Sequence, residues 1–340
     1  MYDDFEASMP NVPMVLAKSE TMDRPVDEQV EQFARAIAVQ PNAIELYYQL
    51  AEAHWRAGDM AGYATFFRKA YLSGTHRFRI PLPRFGAADA PAELRDRTSA
   101  LAAQGAAYTA VLSTLALAEA RLGNDAAVTH LMDYERFLRV TTIEPPDGAS
   151  LEAFNSALAH EIRSDLTYYG SPPDQALRHA WRYDAIEKSR LPNIRKLTKI
   201  LRRCVSDYMR DLPAGAAHPF VAMRPARYEI GGSAVVSRRS SYLPSHIHRR
   251  AWATGVYYVQ EPEVSKSPGS REAWLTVGPP EALGEAPTPG WERRDIEPVP
   301  GSVVMMPGYF WHETQPMEVD QERICVAFEV YPQELRQGAT

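Results

Sequence analysis

Two histidines two residues apart, and a third far downstream, are the first residues in this sequence that could do chemistry together. His246 and His248 stand in Tyr242-Leu243-Pro244-Ser245-His246-Ile247-His248, and His312 closes the run PVPGSVVMMPGYFWHET. On a strand, residues two apart point to the same face, so His246 and His248 can aim at one ion. A third imidazole from a neighbouring strand completes a facial set, which leaves open positions on a six-coordinate metal for a chelating substrate and dioxygen. The His-x-His pair alone is weak, because an isolated histidine near a strand end is commonly a surface or hydrogen-bonded core residue. His160, His179 and His218 are read that way. What strengthens the pair is a glycine-rich turn before an apolar strand ending near His312, with Arg323 eleven residues further on in Gln321-Glu322-Arg323-Ile324-Cys325-Val326-Ala327-Phe328. An arginine there can reach the far carboxylate of a metal-chelated dicarboxylic acid through a two-pronged, charge-assisted bond. Its bland alternative is a strand-edge arginine paired with Glu329 or another carboxylate.

The elements that must position these residues change character along the chain. Residues 1–25 are short, polar and proline-interrupted, and are expected to be a flexible arm. From about 27 to 212 apolar residues recur at helical spacing. Beyond His218, short runs rich in Val, Tyr, Phe and Trp alternate with Gly and Pro, which predicts β-structure. The boundary is expected within LPAGAAHPF, residues 212–220. In the helical part, Tyr47, Leu50, Ala51, His54, Gly58, Tyr63, Phe67 and Ala70 fall at the spacing of a tetratricopeptide repeat, with Phe33, Ala36 and Pro41 before them. A partial helix–turn–helix over 107–139, hinged at Gly123-Asn124-Asp125, extends the pattern. Two longer helices are expected at 150–163 and 193–211. The second has an apolar stripe (Ile194, Leu197, Leu201, Val205, Tyr208) opposite a basic, solvated face.

The ordered series LPSHIH, TGVYYV, PGSVVMMPGYFWH and ERICVAF resembles the 2-oxoglutarate/iron(II)-dependent dioxygenases, specifically bacterial oxygenases preceded by tetratricopeptide repeats. The resemblance covers roughly residues 150–334. It implies an α+β chain: a tetratricopeptide-like helical array over 26–145, then an oxygenase domain over 146–340. In that domain a double-stranded β-helix (jelly-roll barrel) at 217–334 is backed by helices at 146–212. It also implies iron(II), 2-oxoglutarate as co-substrate and O2. His246 and His312 match the two histidine ligands, and His248 falls where most of the superfamily has an aspartate. Arg323 matches the anchor of the co-substrate carboxylate, with Cys325 where a serine often accompanies it. Tyr258, or alternatively Tyr257, matches a tyrosine that bonds the same carboxylate. The departure at His248 removes one negative charge from the metal's ligand set. It also feeds a rival, the cupins, which use three histidines; the glutamate they place after His-x-His is missing from RRAWATG, and they have no need of Arg323. A non-catalytic interaction scaffold is the third reading.

The implied reaction is hydroxylation of a C–H bond with release of succinate and CO2. The helical half suggests an extended peptide or protein segment as substrate, in preference to a free metabolite, and also suits homo-oligomerisation. Residues 260–298, with seven prolines, read as a lid at the barrel mouth; Trp274 and Trp291 in it, with Arg249, are candidate substrate contacts, the two tryptophans equally able to plug the side of the barrel. With 37 basic and 43 acidic residues the net charge is −6, and no aromatic stacking motif accompanies the paired arginines, so nucleic acid is not expected. Two cysteines, an acidic N-terminus and no long apolar run argue for a cytoplasmic protein without a membrane span.

Overall fold

Apolar residues at three- and four-residue spacing build the first helices of the computed structural model, which describes residues 25–73, 90–169, 177–213, 218–280, 283–284 and 288–333. The expected arm therefore lies, but for its last residue, outside the described residues, as does the middle of the 212–220 boundary. The chain divides into two units, Met1–Phe78 and Arg79–Thr340.

In the first unit, helices α1 (Val26–Val39), α2 (Ile44–Arg56) and α3 (Met60–Ser73) bury Phe33, Leu46, Leu50, Ala51, Tyr63, Phe67 and Ala70. These include most of the positions that carried the repeat pattern. Asp59 accepts from the Gly62 N–H at 3.0 Å and starts α3, while His54 pairs with the same aspartate at 2.9 Å.

The second unit begins with α4 (Pro91–Ala103), α5 (Thr109–Arg121), α6 (Asp125–Leu131) and α7 (Tyr134–Phe137). The helical domain expected over 26–145 is thus cut by the unit boundary, and its later helices belong with the sheets. Helix α5 is buried from Thr109 to Glu119 on every face, as expected of a helix enclosed by its neighbours and not of one in an exposed array. Thr109 Oγ1 donates to Ala251 O at 2.6 Å, and Ser113 Oγ accepts from Trp311 Nε1 at 2.8 Å.

Three short strands fall inside the stretch read as helical: β1 (Arg139–Thr142), then, after α8 (Leu151–Arg163), β2 (Thr167–Tyr169) and β3 (Ala180–Tyr183). Helix α9 (Pro192–Asp211) and the one-turn α10 (Pro219–Ala222) lead into β4 (Tyr228–Ser237), β5 (Leu243–His246), β6 (Ala253–Gln260), β7 (Leu275–Val277), β8 (Arg294–Ile296), β9 (Ser302–Pro307), β10 (His312–Thr314) and β11 (Arg323–Pro332). All pairings are antiparallel. The larger sheet runs β1-β9-β6-β11-β4-β3-β2 and the smaller β5-β10-β7-β8. Successive strands from β4 onward pass from one sheet to the other, except that β7 and β8 stay together in the smaller one. Both lie in the segment expected to be a lid, so part of that segment is sheet.

Period-two alternation assigns the faces of the larger sheet. On β11, Ile324, Val326, Phe328 and Val330 are at most 1% exposed and face the main core. Helices α8 and α9 supply that core with Phe154, Leu158, Ile162, Leu197, Leu201 and Val205, and the basic side of α9 stays exposed. Glu161 ties the two helices by accepting from the Asn193 and Ile194 N–H groups that open α9. The opposite face of the sheet, with Arg323, Cys325, Ala327 and Glu329, is left for the site.

His218, read from sequence as a core histidine, is 3% exposed. Its Nδ1 accepts from Phe220 N and its Nε2 donates to His130 O, so the ring is neutral. Burial, with a smaller contribution from the His130 imidazole, lowers its pKa from 6.5 to about 4. The unfolded chain then takes up a proton that the folded one refuses, so stability present above pH 6.5 is lost as pH falls toward 4. This loss is about 3 kcal/mol for His218. In urea titrations at pH 7.5 and pH 4.5, His218→Gln is expected to show a flatter acid decline than the parent. Identical slopes would rule out this histidine as a contributor.

Candidate metal centre

The three histidines come together from different elements. His246 ends β5 and His312 opens β10, directly opposite each other in register, so the smaller sheet presents both to one side. His248 arrives otherwise than expected. Strand β5 stops at His246, and His248 lies in the following turn, where its N–H donates to Gly308 O at 2.9 Å. Gly308 permits that crossing, since a Cβ there would stand 2.3 Å from Ala251 O and 3.2 Å from His248 O. The donor atoms of the three rings all lie within 4.8 Å of one another.

Tautomers follow from the partners. His246 Nδ1 contacts Pro244 O at 2.8 Å and His312 Nδ1 contacts Phe310 O at 2.9 Å. A carbonyl only accepts, so each Nδ1 carries the proton and each Nε2 keeps a lone pair. His248 Nδ1 is bonded to the carboxylate of Glu329. Burial, reinforced by neighbouring imidazoles, lowers His246 to about pKa 4 and His312 well below its ordinary value, so both are neutral near pH 7. The Nε2 atoms of His248 and His312 are 3.1 Å apart. Two imidazole nitrogens at that distance can share a proton, and a divalent ion can take the place of that proton. Adjacent donors on an octahedral ion with bonds of about 2.2 Å are spaced by a similar distance. The donor set therefore fits a divalent transition metal. Glu313, beside His312, is instead in a salt bridge with Arg293.

The second part of the site is on the larger sheet. Arg323 is 2% exposed and Tyr258 is fully buried, with the guanidinium carbon 5.3 Å from the tyrosine ring centre. Cross-strand register sets Tyr258 opposite Cys325 and Ser237 opposite Arg323, so all four share the face turned toward the histidines. Three of their polar atoms, Arg323 Nε, Tyr258 Oη and Ser237 Oγ, are buried and make no hydrogen bond among the described residues. Orphaned polar atoms of this kind are costly, and a cluster of them around one guanidinium is shaped for a carboxylate. Burial pushes the Tyr258 hydroxyl up to about 12, so it remains a donor. Tyr257, the alternative, points the other way and donates to Asn155 Oδ1 on α8. Ser237 carried no sequence signal by itself; only its pairing with Arg323 marks it. Glu329, the alternative partner for Arg323, is found on His248.

The expected substrate contacts separate. Arg249 is exposed beside the histidine turn. Trp274 is half-buried, donates from Nε1 to Ser265 O at 3.0 Å and is covered by Arg271. Trp291 is 1% exposed and belongs to the main core.

Residues 234–329 match the family model described as "Putative 2OG-Fe(II) oxygenase", a span containing all three histidines, Tyr258, Arg323 and Glu329. This segment is a 2-oxoglutarate/iron(II) oxygenase domain, of the class of dioxygenases that require Fe(II), 2-oxoglutarate and O2. No curated protein matches the chain. Among solved structures, a Pseudomonas putida prolyl-4-hydroxylase is 15% identical, covering 63% of this chain and 98% of its own, with a TM-score of 0.41. A Trichoplax adhaerens prolyl hydroxylase, in complex with a hypoxia inducible factor peptide fragment, is 14% identical over 65% of this chain and 94% of its own, TM-score 0.41. HygX from Streptomyces hygroscopicus, with nickel and 2-oxoglutarate bound, is 13% identical over 60% and 86%, TM-score 0.39. Among the described residues no helix is long and apolar enough to cross a membrane.

Proposed function

We propose that this protein hydroxylates a C–H bond of a peptide or protein substrate, using iron(II) held by His246, His248 and His312. The observation that carries this reading is the pairing of a three-imidazole cluster with a buried, unsatisfied Arg323–Tyr258–Ser237 cluster on the facing sheet. A cupin-type metalloenzyme needs only the first of these; a chelating co-substrate with a distant second carboxylate needs both. When bound, iron(II), 2-oxoglutarate and O2 supply an oxidative decarboxylation that yields succinate and CO2 and places one oxygen atom in the substrate.

The chain's own residues do the rest. Arg323 offers its planar fork, and the protonated Tyr258 and Ser237 hydroxyls donate to the same carboxylate. Val235, Val256, Val304 and Met306, buried on the same face by register, exclude water from the space between anchor and histidines. The sheet arrangement, with strands passing between two antiparallel layers, is read as a double-stranded β-helix with its larger layer backed by α8 and α9. The helices at 26–73 are read as a tetratricopeptide-like platform, and their aromatic, small-residue pattern supports a polypeptide substrate.

The test is anaerobic reconstitution with iron(II) and titration with 2-oxoglutarate, followed by turnover with peptide pools. A visible charge-transfer band, then succinate formation with a one-oxygen mass gain on a peptide, is expected. Bound iron without the band would favour the cupin reading. For the anchor, Ser237→Ala should weaken 2-oxoglutarate about tenfold, the value of one hydrogen bond to a charged group. It should leave 2-oxopentanoate, which lacks the second carboxylate, unaffected in calorimetry on the anaerobic metal-loaded protein. Equal weakening of both ligands would remove Ser237 from the anchor.

A further inference from the structure

The first three ligands leave a charge unaccounted for. Three neutral imidazoles around a divalent ion keep the full double positive charge, whereas a set with one carboxylate would carry one unit less. The acceptors behind the imidazoles differ. His246 and His312 each donate to a backbone carbonyl, of Pro244 and Phe310. His248 alone donates to an ionised side chain, Glu329. It is also the one residue of the three that replaces the carboxylate in the resemblance drawn from sequence.

The strand explains how Glu329 gets there. Arg323, Cys325, Ala327 and Glu329 alternate onto one face of β11, so the anchoring cation and this carboxylate sit about 20 Å apart along one strand. Register holds Glu329 opposite Gly231 on β4 and Thr254 on β6. Gly231 has no side chain to cover it, and the Thr254 hydroxyl is used on Phe328 O at 3.1 Å. The Glu329 and His248 side chains are 27% and 17% exposed, partly shielded from water, where a charge-assisted bond keeps more of its strength.

We propose that Glu329 is the carboxylate of this metal centre, placed one imidazole away from the ion. Resting on the metal-site reading above, the inference is that Glu329 fixes His248 with Nε2 toward the ion and passes negative charge through the ring, raising the donor strength of Nε2. Outer acceptors of ligating histidines act in this way in general, and their loss costs about 10–100-fold in metal affinity. Glu329 is thus a positioning residue, acting through His248 without touching the ion.

The experiment is a cobalt(II) titration of the full-length metal-free protein without 2-oxoglutarate, read by ligand-field absorption, with circular dichroism to verify folding. Glu329→Gln keeps the size and an acceptor oxygen but removes the charge. It is expected to weaken cobalt(II) by about 10–100-fold and to shift the ligand-field band. Parental affinity and spectrum in Glu329→Gln, with binding lost in His246→Ala, would overturn the role of Glu329 while leaving the metal site standing. Parental binding in His246→Ala would instead overturn the metal-site reading itself. A second comparison does not depend on the single variant. His248→Asp combined with Glu329→Gln moves the carboxylate onto the ion, and should recover most of the affinity lost in Glu329→Gln alone. No recovery would count against the proposal.

Discussion

His312→Ala is expected to fold normally and to lose iron(II) affinity by at least about a thousandfold, or roughly 4 kcal/mol. The size follows from geometry. His312 is the ring nearest to both partners, with its centroid 4.4 Å from that of His246 and 5.0 Å from that of His248. Its removal leaves two donors on one side of the ion, and no described carboxylate joins the cluster as a replacement. Folding should survive, because the ring's contacts are local to the site: Phe310 O, two residues away, and the neighbouring His248 Nε2 at 3.1 Å. The measurement is a pair of melts with and without manganese(II), a redox-quiet stand-in for iron. The parent should gain in melting temperature as the ion binds the native state, and the variant should not. A variant that still gains would mean that another residue holds the ion.

Much of this site was legible because strands impose a period of two on chemistry-bearing residue types. His246, His248 and His312 could be grouped, and Arg323 offered as a carboxylate anchor, from residue type and spacing before any strand was placed, whereas Tyr258 entered only through the family resemblance. Ser237 and Glu329 needed the register. Serine in AVVSRRS is unremarkable until β4 is laid beside β11 with Ser237 opposite Arg323. Glu329 stands at the right parity, six residues beyond Arg323. Sequence could not say that the histidine turn would reach back to that strand, and so offered Arg323 as its partner. His248 shows the same limit: strand alternation foretold the right neighbour for the wrong reason, since a turn held by Gly308 delivers it.

The misplaced elements also have physical causes. Strands β1, β2 and β3 span three or four residues each, too few for alternation to stand out from helix periodicity on either side. Helix α5 is enclosed on all sides, so it lacks the stripe that distinguishes a helix packing on one face. That enclosure moves it out of the helical array and into the body that carries the site. For Trp291 sequence left pocket wall and barrel plug equally open, because the size of an aromatic side chain says nothing of its burial; in the fold it is 1% exposed.

Arg323→Met tests the anchor most severely, because it predicts opposite signs for stability and for binding. In the ligand-free protein the guanidinium is buried, with Nε unsatisfied and no ion-pair partner among the described residues. Such a group destabilises the fold by about 1–3 kcal/mol, which an unbranched apolar chain of similar length avoids. The variant should therefore melt higher than the parent without 2-oxoglutarate. With 2-oxoglutarate at a hundred times its dissociation constant, the parent gains about 2.7 kcal/mol from binding. The variant gains nothing, because the loss of a buried charged contact costs about 3–4 kcal/mol, several hundredfold in affinity. The order of melting should then reverse on adding the co-substrate. A structural arginine would give a variant that melts lower in both conditions, and an arginine serving some other ligand would leave the response to 2-oxoglutarate intact. Only a residue kept at a cost to stability for the sake of one carboxylate produces the crossing.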